Sequence, residues 1–190
     1  MIAALYSDPH FGHYNENSGG IIKLADRPFA SIDEMDAAFI KKYNELVSPR
    51  ETVLWLGDAF ICSVERAKEI MSELNGHKQL IIGNHDRSTT AMAKLGFELV
   101  IERECFMFLH GRKCRLTHYP YAGAPYGRQQ REDDRYADRR PPRIKGEVLI
   151  HGHSHAKRRI FQNMIHVGVD AWDFRPALIE EVEDLIRRFL

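Results

Sequence analysis

The sequence lacks a net charge, a disulfide pattern and a long apolar run. Its 190 residues carry no net charge, so the molecule as a whole has no basic field to attract nucleic acid. Its three cysteines are odd in number and show no C-x-x-C spacing, which favours reduced thiols over a disulfide framework. The apolar run at 2–6 is far shorter than a signal-peptide core or a membrane span. These absences predict a soluble cytoplasmic protein with no membrane partner.

The length of the chain favours a single domain. A chain of this size can form one sizeable hydrophobic core but is too short for two separate cores of that kind. We therefore expect one domain over 1–190. Residues 119–146 are rich in Pro, Gly, Arg and Asp and have no apolar period, which predicts a surface insertion or flap. Bases outnumber acids within 128–145, as in a flap that captures phosphorylated or nucleic-acid substrates, but the interleaved acids favour a solvated loop.

Apolar patterns predict alternating strands and helices, followed by additional hairpin strands. This order is typical of an α/β fold with mixed sheets. The predicted strands are 2–7, 52–56, 80–82, 97–101, 105–109, 113–116, 148–150, 158–162 and 164–169. The predicted helices are 32–46, 63–74, a short helix up to Leu95, and 179–189.

Metal-binding residue types follow five of the predicted strands. In open α/β sheets, ligands gather beyond the carboxyl ends of the strands. Asp8 and His10 are two positions apart, and so are His153 and His155. In extended backbone, residues two positions apart place their side chains on the same side, so each pair could reach one centre. Oxygen and imidazole donors without a thiolate suit Mn, Fe, Zn or Ni, and suit structural zinc poorly. A lone histidine is more often a surface or core residue, but the ordered set favours a shared metal site. Its members are Asp8, His10, Asp58, Asn84, His118, His153 and His155.

This ordered set of motifs resembles the calcineurin-like metallophosphoesterase superfamily. The motifs run in that family's order: D-x-H, Gly-Asp, Gly-Asn-His-Asp, a strand-end His and Gly-His-x-His. Additional stretches resemble a group of small bacterial and phage phosphoesterases, and these stretches are 7–13, 27–29, 74–76, 118–120 and 168–173.

The resemblance implies a fold, a ligand assignment and an activity. The fold would be two mixed β-sheets packed as a sandwich and flanked by helices. One metal would be held by Asp8, His10 and His155, the other by Asn84, His118 and His153, and Asp58 would bridge them. The expected cofactors are two divalent ions, with Mn²⁺ expected first and Fe, Zn or Ni as alternatives. The expected activity is hydrolysis of a phosphodiester or phosphomonoester by a metal-activated hydroxide.

Four further residues are candidates for catalysis or substrate binding. His85 adjoins Asn84 and is the candidate general acid, with Asp86 placed to orient it. Arg27 is a candidate phosphate contact, although a surface arginine is the ordinary alternative. His13 follows the first ligands and either contacts substrate or makes a backbone hydrogen bond.

Two alternative functions remain open at the level of sequence. A metal-binding scaffold or regulatory module of the same fold would keep the ligands without catalysis. A nuclease would use the same site on nucleic acid. The absence of an evident basic groove favours a small phosphoester as the substrate.

Overall fold

The computed structural model of the chain describes residues 1–17, 19–124 and 136–190, and it contains two mixed β-sheets flanked by helices. The predicted α/β sandwich is therefore confirmed. The strands in chain order are β1 (Ile2–Tyr6), β2 (Thr52–Trp55), β3 (His77–Ile81), β4 (Leu99–Ile101), β5 (Glu104–Leu109), β6 (Arg112–Thr117), β7 (Val148–His151), β8 (Ile160–Phe161), β9 (Met164–His166) and β10 (Ala177–Leu178).

The two sheets have five strands each. The first has the order β10-β1-β2-β3-β4, in which β1 to β4 are parallel and β10 is antiparallel to β1. The second has the order β5-β6-β7-β9-β8, with β6, β7 and β9 parallel and both edge strands antiparallel to their neighbours. Parallel strands end at a common edge, so the segments that follow β1, β2 and β3 lie side by side.

Helices account for most of the remaining regular structure. Ser31, Ser63 and Ser88 each accept a hydrogen bond from a backbone N–H in the first turn of the helix that follows, which fixes where those three helices begin. Within the described ranges, no helix is both long enough and apolar enough to cross a membrane. The helices are α1 (Gly20–Leu24), α2 (Ile32–Leu46), α3 (Val64–Glu73), α4 (Thr89–Leu95) and α5 (Ile179–Phe189).

The hydrophobic core has two main layers. Between the sheets, apolar side chains of β1 and β2 meet those of β6 and β7 and the inner face of α5, where Val182 is fully buried. On the other face of the first sheet, Trp55 packs against Phe39 and Tyr43 of α2 and Ile70 of α3. Large side chains fill both layers, so burial of apolar surface stabilises the sheet on which the site is built.

Two elements were not predicted. The strand β10 has only two residues, too few for an alternating pattern, and it pairs with β1 at Ala4 and Leu5. The helix α1 has five residues and begins after Gly19, which has a left-handed conformation and makes no side-chain cap. Without a capping side chain or a full apolar period, neither element leaves a signal in the sequence.

The surface excursion predicted over 119–146 is partly wrong. Residues 125–135, which include part of the basic stretch, lie outside the described residues. Tyr119 and Tyr121 are 4% and 0% exposed, and Tyr121 packs with Leu149 and Met164 on the outer face of the second sheet. The excursion therefore begins as a packed layer, because aromatic residues directly after β6 can cover the open face of that sheet.

Candidate metal centre

All seven predicted metal ligands lie together where the two sheets end. Two groups of three acidic or histidine side chains have ligand atoms that all lie within 4.8 Å of one another. One group is Asp8, His10 and His155, and the other is Asp58, His118 and His153. These two clusters could each hold a metal ion.

The second group gains a fourth donor from Asn84. The His118 Nε2 atom lies 3.0 Å from Asn84 Oδ1, 3.2 Å from His153 Nδ1 and 3.4 Å from an Asp58 carboxylate oxygen. Donor atoms about 2.1 Å from a common ion are expected about 3.0–3.4 Å from one another when they occupy neighbouring positions. The four side chains therefore have the spacing of ligands to one ion.

Asp58 lies between the two groups. Its Oδ2 atom is 3.5 Å from His10 Nε2 and 3.4 Å from His118 Nε2. Its other oxygen, Oδ1, accepts the backbone N–H of His85 at 2.8 Å. One carboxylate oxygen thus faces a histidine of each group, which is the placement that a bridging ligand needs.

The ligand residues have an unusual backbone conformation. Ten described residues other than glycine have positive φ, and five of them are ligand candidates: Asp8, His10, Asp58, His153 and His155. The expectation that extended backbone aligns the i, i+2 pairs is therefore wrong. Left-handed residues turn the chain sharply after each strand, and His153 and His155 consequently reach different groups. Such strained conformations concentrate at functional sites.

The donor chemistry fits divalent ions. Both ring nitrogens of His10 are buried and have no hydrogen-bond partner among the described residues. An unpaired buried polar atom costs free energy, and an ion would remove that cost. His118 Nδ1 lies 2.7 Å from Leu56 O, and His155 Nδ1 lies 2.8 Å from Asp170 Oδ2. Each of these bonds directs Nε2 of the ring toward the site, as is usual for metal-binding histidine.

Burial and neighbouring carboxylates shift the pKa values of the buried histidines in opposite directions. Burial lowers the pKa of His10 well below its usual range and that of His153 to about 2, so both rings are neutral and carry a lone pair. Burial acts in the same direction on His118, but the Asp58 carboxylate outweighs it and raises the pKa of His118 to about 9. The His118 ring and the Asp58 carboxylate therefore attract each other, with Nε2 and Oδ2 3.4 Å apart.

His85 lies at the mouth of the site. Its side chain is exposed, and its ring centroid is 5.3 Å from that of His10 and 6.4 Å from that of His13. The bond from its backbone N–H to Asp58 Oδ1 holds the residue beside the carboxylate that lies between the two groups. An exposed imidazole at this place can exchange protons with solvent and reach a bound molecule.

Asp86 has a different role from the predicted one. Its carboxylate accepts backbone N–H groups of Asp58, Ala59 and Gly83 at 2.8, 2.9 and 2.8 Å. No hydrogen bond to the His85 ring is present in the described part of the chain. The prediction that Asp86 orients His85 is therefore wrong, because three backbone donors already hold its two oxygens.

His13 and Arg27 differ in their access to the site. The His13 ring centroid is 5.5 Å from that of His10, so His13 borders the site, and its contact with a substrate stays a prediction. Arg27 is buried instead, and its guanidinium bonds to the Asp170 carboxylate and to the carbonyls of Asp8 and Pro9. These internal bonds replace the substrate contact that the sequence predicted.

Two residues at the site were not assigned a role from the sequence. Ser7 donates its Oγ–H toward Asp8 Oδ2 and Leu56 O, each at 2.7 Å. Asp170 contacts both Arg27 and His155. Asp170 lies within a stretch that carries the phosphoesterase resemblance, and that stretch was the available signal for it.

Comparison with known proteins places the chain in a family without an assigned activity. No protein-family model matches it. An uncharacterised protein of Methanocaldococcus jannaschii is 30% identical, over 97% of this chain and 90% of that protein. The gene 66 protein of Mycobacterium phage L5 is 32% identical, over 95% of this chain and 91% of that protein. The chain belongs to the family of these two proteins.

The fold of this family also occurs in a solved structure. A protein of unknown function from Aquifex aeolicus superposes on this chain with a TM-score of 0.71 at 26% identity. The match covers 96% of this chain and 97% of that protein.

Proposed function

We propose that this protein is a dinuclear-metal-dependent phosphoesterase that hydrolyses phosphodiester or phosphomonoester bonds. The observation that carries the proposal is the pair of ligand groups with one Asp58 oxygen between a histidine of each. The order of the motifs, which resembles that of the metallophosphoesterase superfamily, agrees with this geometry. We expect Mn²⁺ to support activity best, with Fe, Zn and Ni as alternatives.

Two ions would be held by side chains of this chain alone. Asp8, His10 and His155 would hold one, Asn84, His118 and His153 the other, and Asp58 would contact both. Bound divalent ions supply Lewis-acid stabilisation of phosphoryl oxygens and a nucleophile at neutral pH. The buried carboxylates and neutral imidazoles supply a preorganised set of donors that need little rearrangement on binding.

The chain's own contribution to the reaction centres on His85. A ring nitrogen of His85 would donate a proton to the leaving-group oxygen, because a poor leaving group departs slowly as an alkoxide. His85 is exposed and hydrogen-bonded through its backbone to Asp58, so substrate at the two groups would lie within its reach. His13 would border the substrate on the same side. Asp86 would keep the backbone of 57–59 and 83 in place.

Hydrolysis of bis(p-nitrophenyl) phosphate in the presence of Mn²⁺ tests the proposal. The wild-type protein should release p-nitrophenol, and Asp58→Asn should lose turnover and bind fewer ions. Asp173→Asn is a matched control, because the Asp173 side chain is 77% exposed and pairs with Lys42 at the surface. Ion binding without turnover of mono- or diesters with Mn²⁺, Ni²⁺, Fe²⁺ or Zn²⁺ would favour a metal-binding scaffold instead.

The expected substrate class follows from the charge of the molecule. The chain has no net charge, so the molecule as a whole offers no basic field to attract nucleic acid. A small or exposed phosphoester is therefore the expected substrate, and single-stranded DNA is the comparison that tests a nuclease activity.

A further inference from the structure

Arg27 is a charged residue that is completely enclosed by the protein. Its side chain and that of Asp170 are 0% and 2% exposed. The guanidinium has five N–H groups, and it makes five contacts. Nε and Nη2 donate to the two Asp170 oxygens at 2.9 and 3.0 Å, Nη2 also to Asp8 O at 2.7 Å, and Nη1 to Pro9 O at 2.8 Å and Met35 Sδ at 3.5 Å.

The carbonyls that Arg27 binds belong to the turn that carries two ligand candidates. Asp8 and His10 have φ values of 59° and 52°, and Pro9 lies between them. Two left-handed residues so close together are held only when the surrounding structure fixes them. Arg27 fixes the carbonyl groups of Asp8 and Pro9, and it thereby sets the direction of the Asp8 and His10 side chains.

The other member of the ion pair contacts the third ligand candidate. Asp170 lies in the one-turn 3-10 helix Val169–Ala171, and its Oδ2 is 2.8 Å from His155 Nδ1. A carboxylate at Nδ1 fixes the ring orientation and makes Nε2 a stronger donor toward a metal. One ion pair therefore contacts the backbone of Asp8, the Pro9 carbonyl that precedes His10, and the His155 ring.

The second ligand group is held by a separate carboxylate. Asp86 fixes the backbone at Asp58, Ala59 and Gly83. No described contact joins Arg27 or Asp170 to His118 or His153. We propose that the Arg27–Asp170 pair is a positioning device that sets metal affinity selectively at the group Asp8, His10 and His155. This inference rests on the two metal positions of the proposed function and does not depend on hydrolysis.

Metal titration of the whole protein tests the inference. Calorimetry with MnCl₂ gives the number and affinity of bound ions, and electron paramagnetic resonance distinguishes a spin-coupled Mn²⁺ pair from a single ion. His155→Ala and His153→Ala provide reference spectra for loss of each group. Arg27→Gln and Asp170→Asn should weaken one ion by about 10–100-fold and reproduce the His155→Ala spectrum.

Arg175→Gln is the matched control. Arg175 also forms a two-pronged pair with a carboxylate, that of Glu181, but this pair is partly exposed and contacts no ligand candidate among the described residues. The Arg175→Gln variant should be less stable than wild type, with no change in the number or affinity of bound ions. If Arg27→Gln does not fold by circular dichroism, the near-isosteric Asp170→Asn carries the test.

The outcomes separate the inference from the proposed function. Equal weakening of both ions in Arg27→Gln and Asp170→Asn, or unchanged binding of two ions, would overturn the selective role. Absence of any Mn²⁺ binding by the wild-type protein would instead overturn the metal centre itself. Selective loss of one ion supports the inference whether or not phosphoester turnover is found.

Discussion

Substitution of Gly152 tests how closely the residues around the candidate metal centre are packed. It is the residue between His151 and His153, and its φ is not in the left-handed region, so its backbone conformation does not require glycine. In open space, Gly→Ala at such a position would stabilise the protein by about 0.4–1 kcal/mol, because it restricts the unfolded chain. A Cβ atom here, however, would overlap Ser7 Oγ and Asp8 Oδ2 and lie only 2.9 Å from Ser7 Cβ.

The size of the expected loss follows from the bonds that must break. To admit a methyl group, Ser7 must give up its contacts to Asp8 Oδ2 and Leu56 O, both at 2.7 Å and both buried. Ser7 shares its single hydroxyl proton between these two oxygens, and Leu56 O also keeps its contact with His118 Nδ1. Losing a hydrogen bond to a charged group costs about 1.5–3 kcal/mol, and a buried hydroxyl left without a partner adds about 1 kcal/mol or more. We therefore expect Gly152→Ala to lose about 3 kcal/mol of stability, or roughly 6–12 °C in Tm for a chain of this size.

Thermal unfolding followed by circular dichroism in chelator measures this loss without interference from ions. Gly111→Ala is the control, because its Cβ would meet nothing within 4 Å and only its φ of +73° opposes the change. That control should lose about 1 kcal/mol. A Gly152→Ala protein as stable as wild type, or more stable, would refute this reasoning. It would show that the loops around Asp8 and His153 can move to admit the methyl group at little cost in stability.

Two other substitutions test single groups. His85→Asn should slow hydrolysis of alkyl phosphate esters by about 10²–10⁴-fold and p-nitrophenyl esters far less, at unchanged metal content; equal losses on both substrates would remove His85 from proton donation. Burial raises the pKa of Asp36 to about 6, so its ionisation destabilises the fold as pH rises from about 4 to about 6. Urea unfolding should show Asp36→Asn gaining up to roughly 3 kcal/mol relative to wild type between pH 4 and pH 7, and a pH-independent difference would refute this.

The ligand residues could be predicted because their signal is distributed along the chain in a fixed order. Asp8, Asp58 and Asn84 each follow an apolar segment that predicts a strand, and this pattern can be recognised without knowledge of the fold. Parallel strands then require these positions to share an edge, and the structure brings them together there. The main helices could be predicted for a similar reason, since Ser31, Ser63 and Ser88 mark where they begin.

The supporting contacts could not be predicted, because they join distant residues through groups that leave no local pattern. Arg27 and Asp170 are 143 positions apart, and nothing near either residue indicates the other. Asp86 was expected to serve its neighbour His85, but its partners are backbone N–H groups at 58, 59 and 83. Backbone donors are present at every position, so the sequence does not show which of them a carboxylate will bind.

The strained ligand residues explain why the site needs such support. Asp and His tolerate the left-handed conformation better than most residues, yet each still costs about 1 kcal/mol. Five such residues would cost about 5 kcal/mol together, a large part of the 5–15 kcal/mol that typically stabilises a domain. Arg27 binds the backbone at Asp8, Asp86 binds it at Asp58, Asp170 contacts His155, and the Asp8 carboxylate accepts the His153 backbone N–H. The donors are therefore placed by the fold before any ion binds, and ion binding need not supply the energy to shape the site.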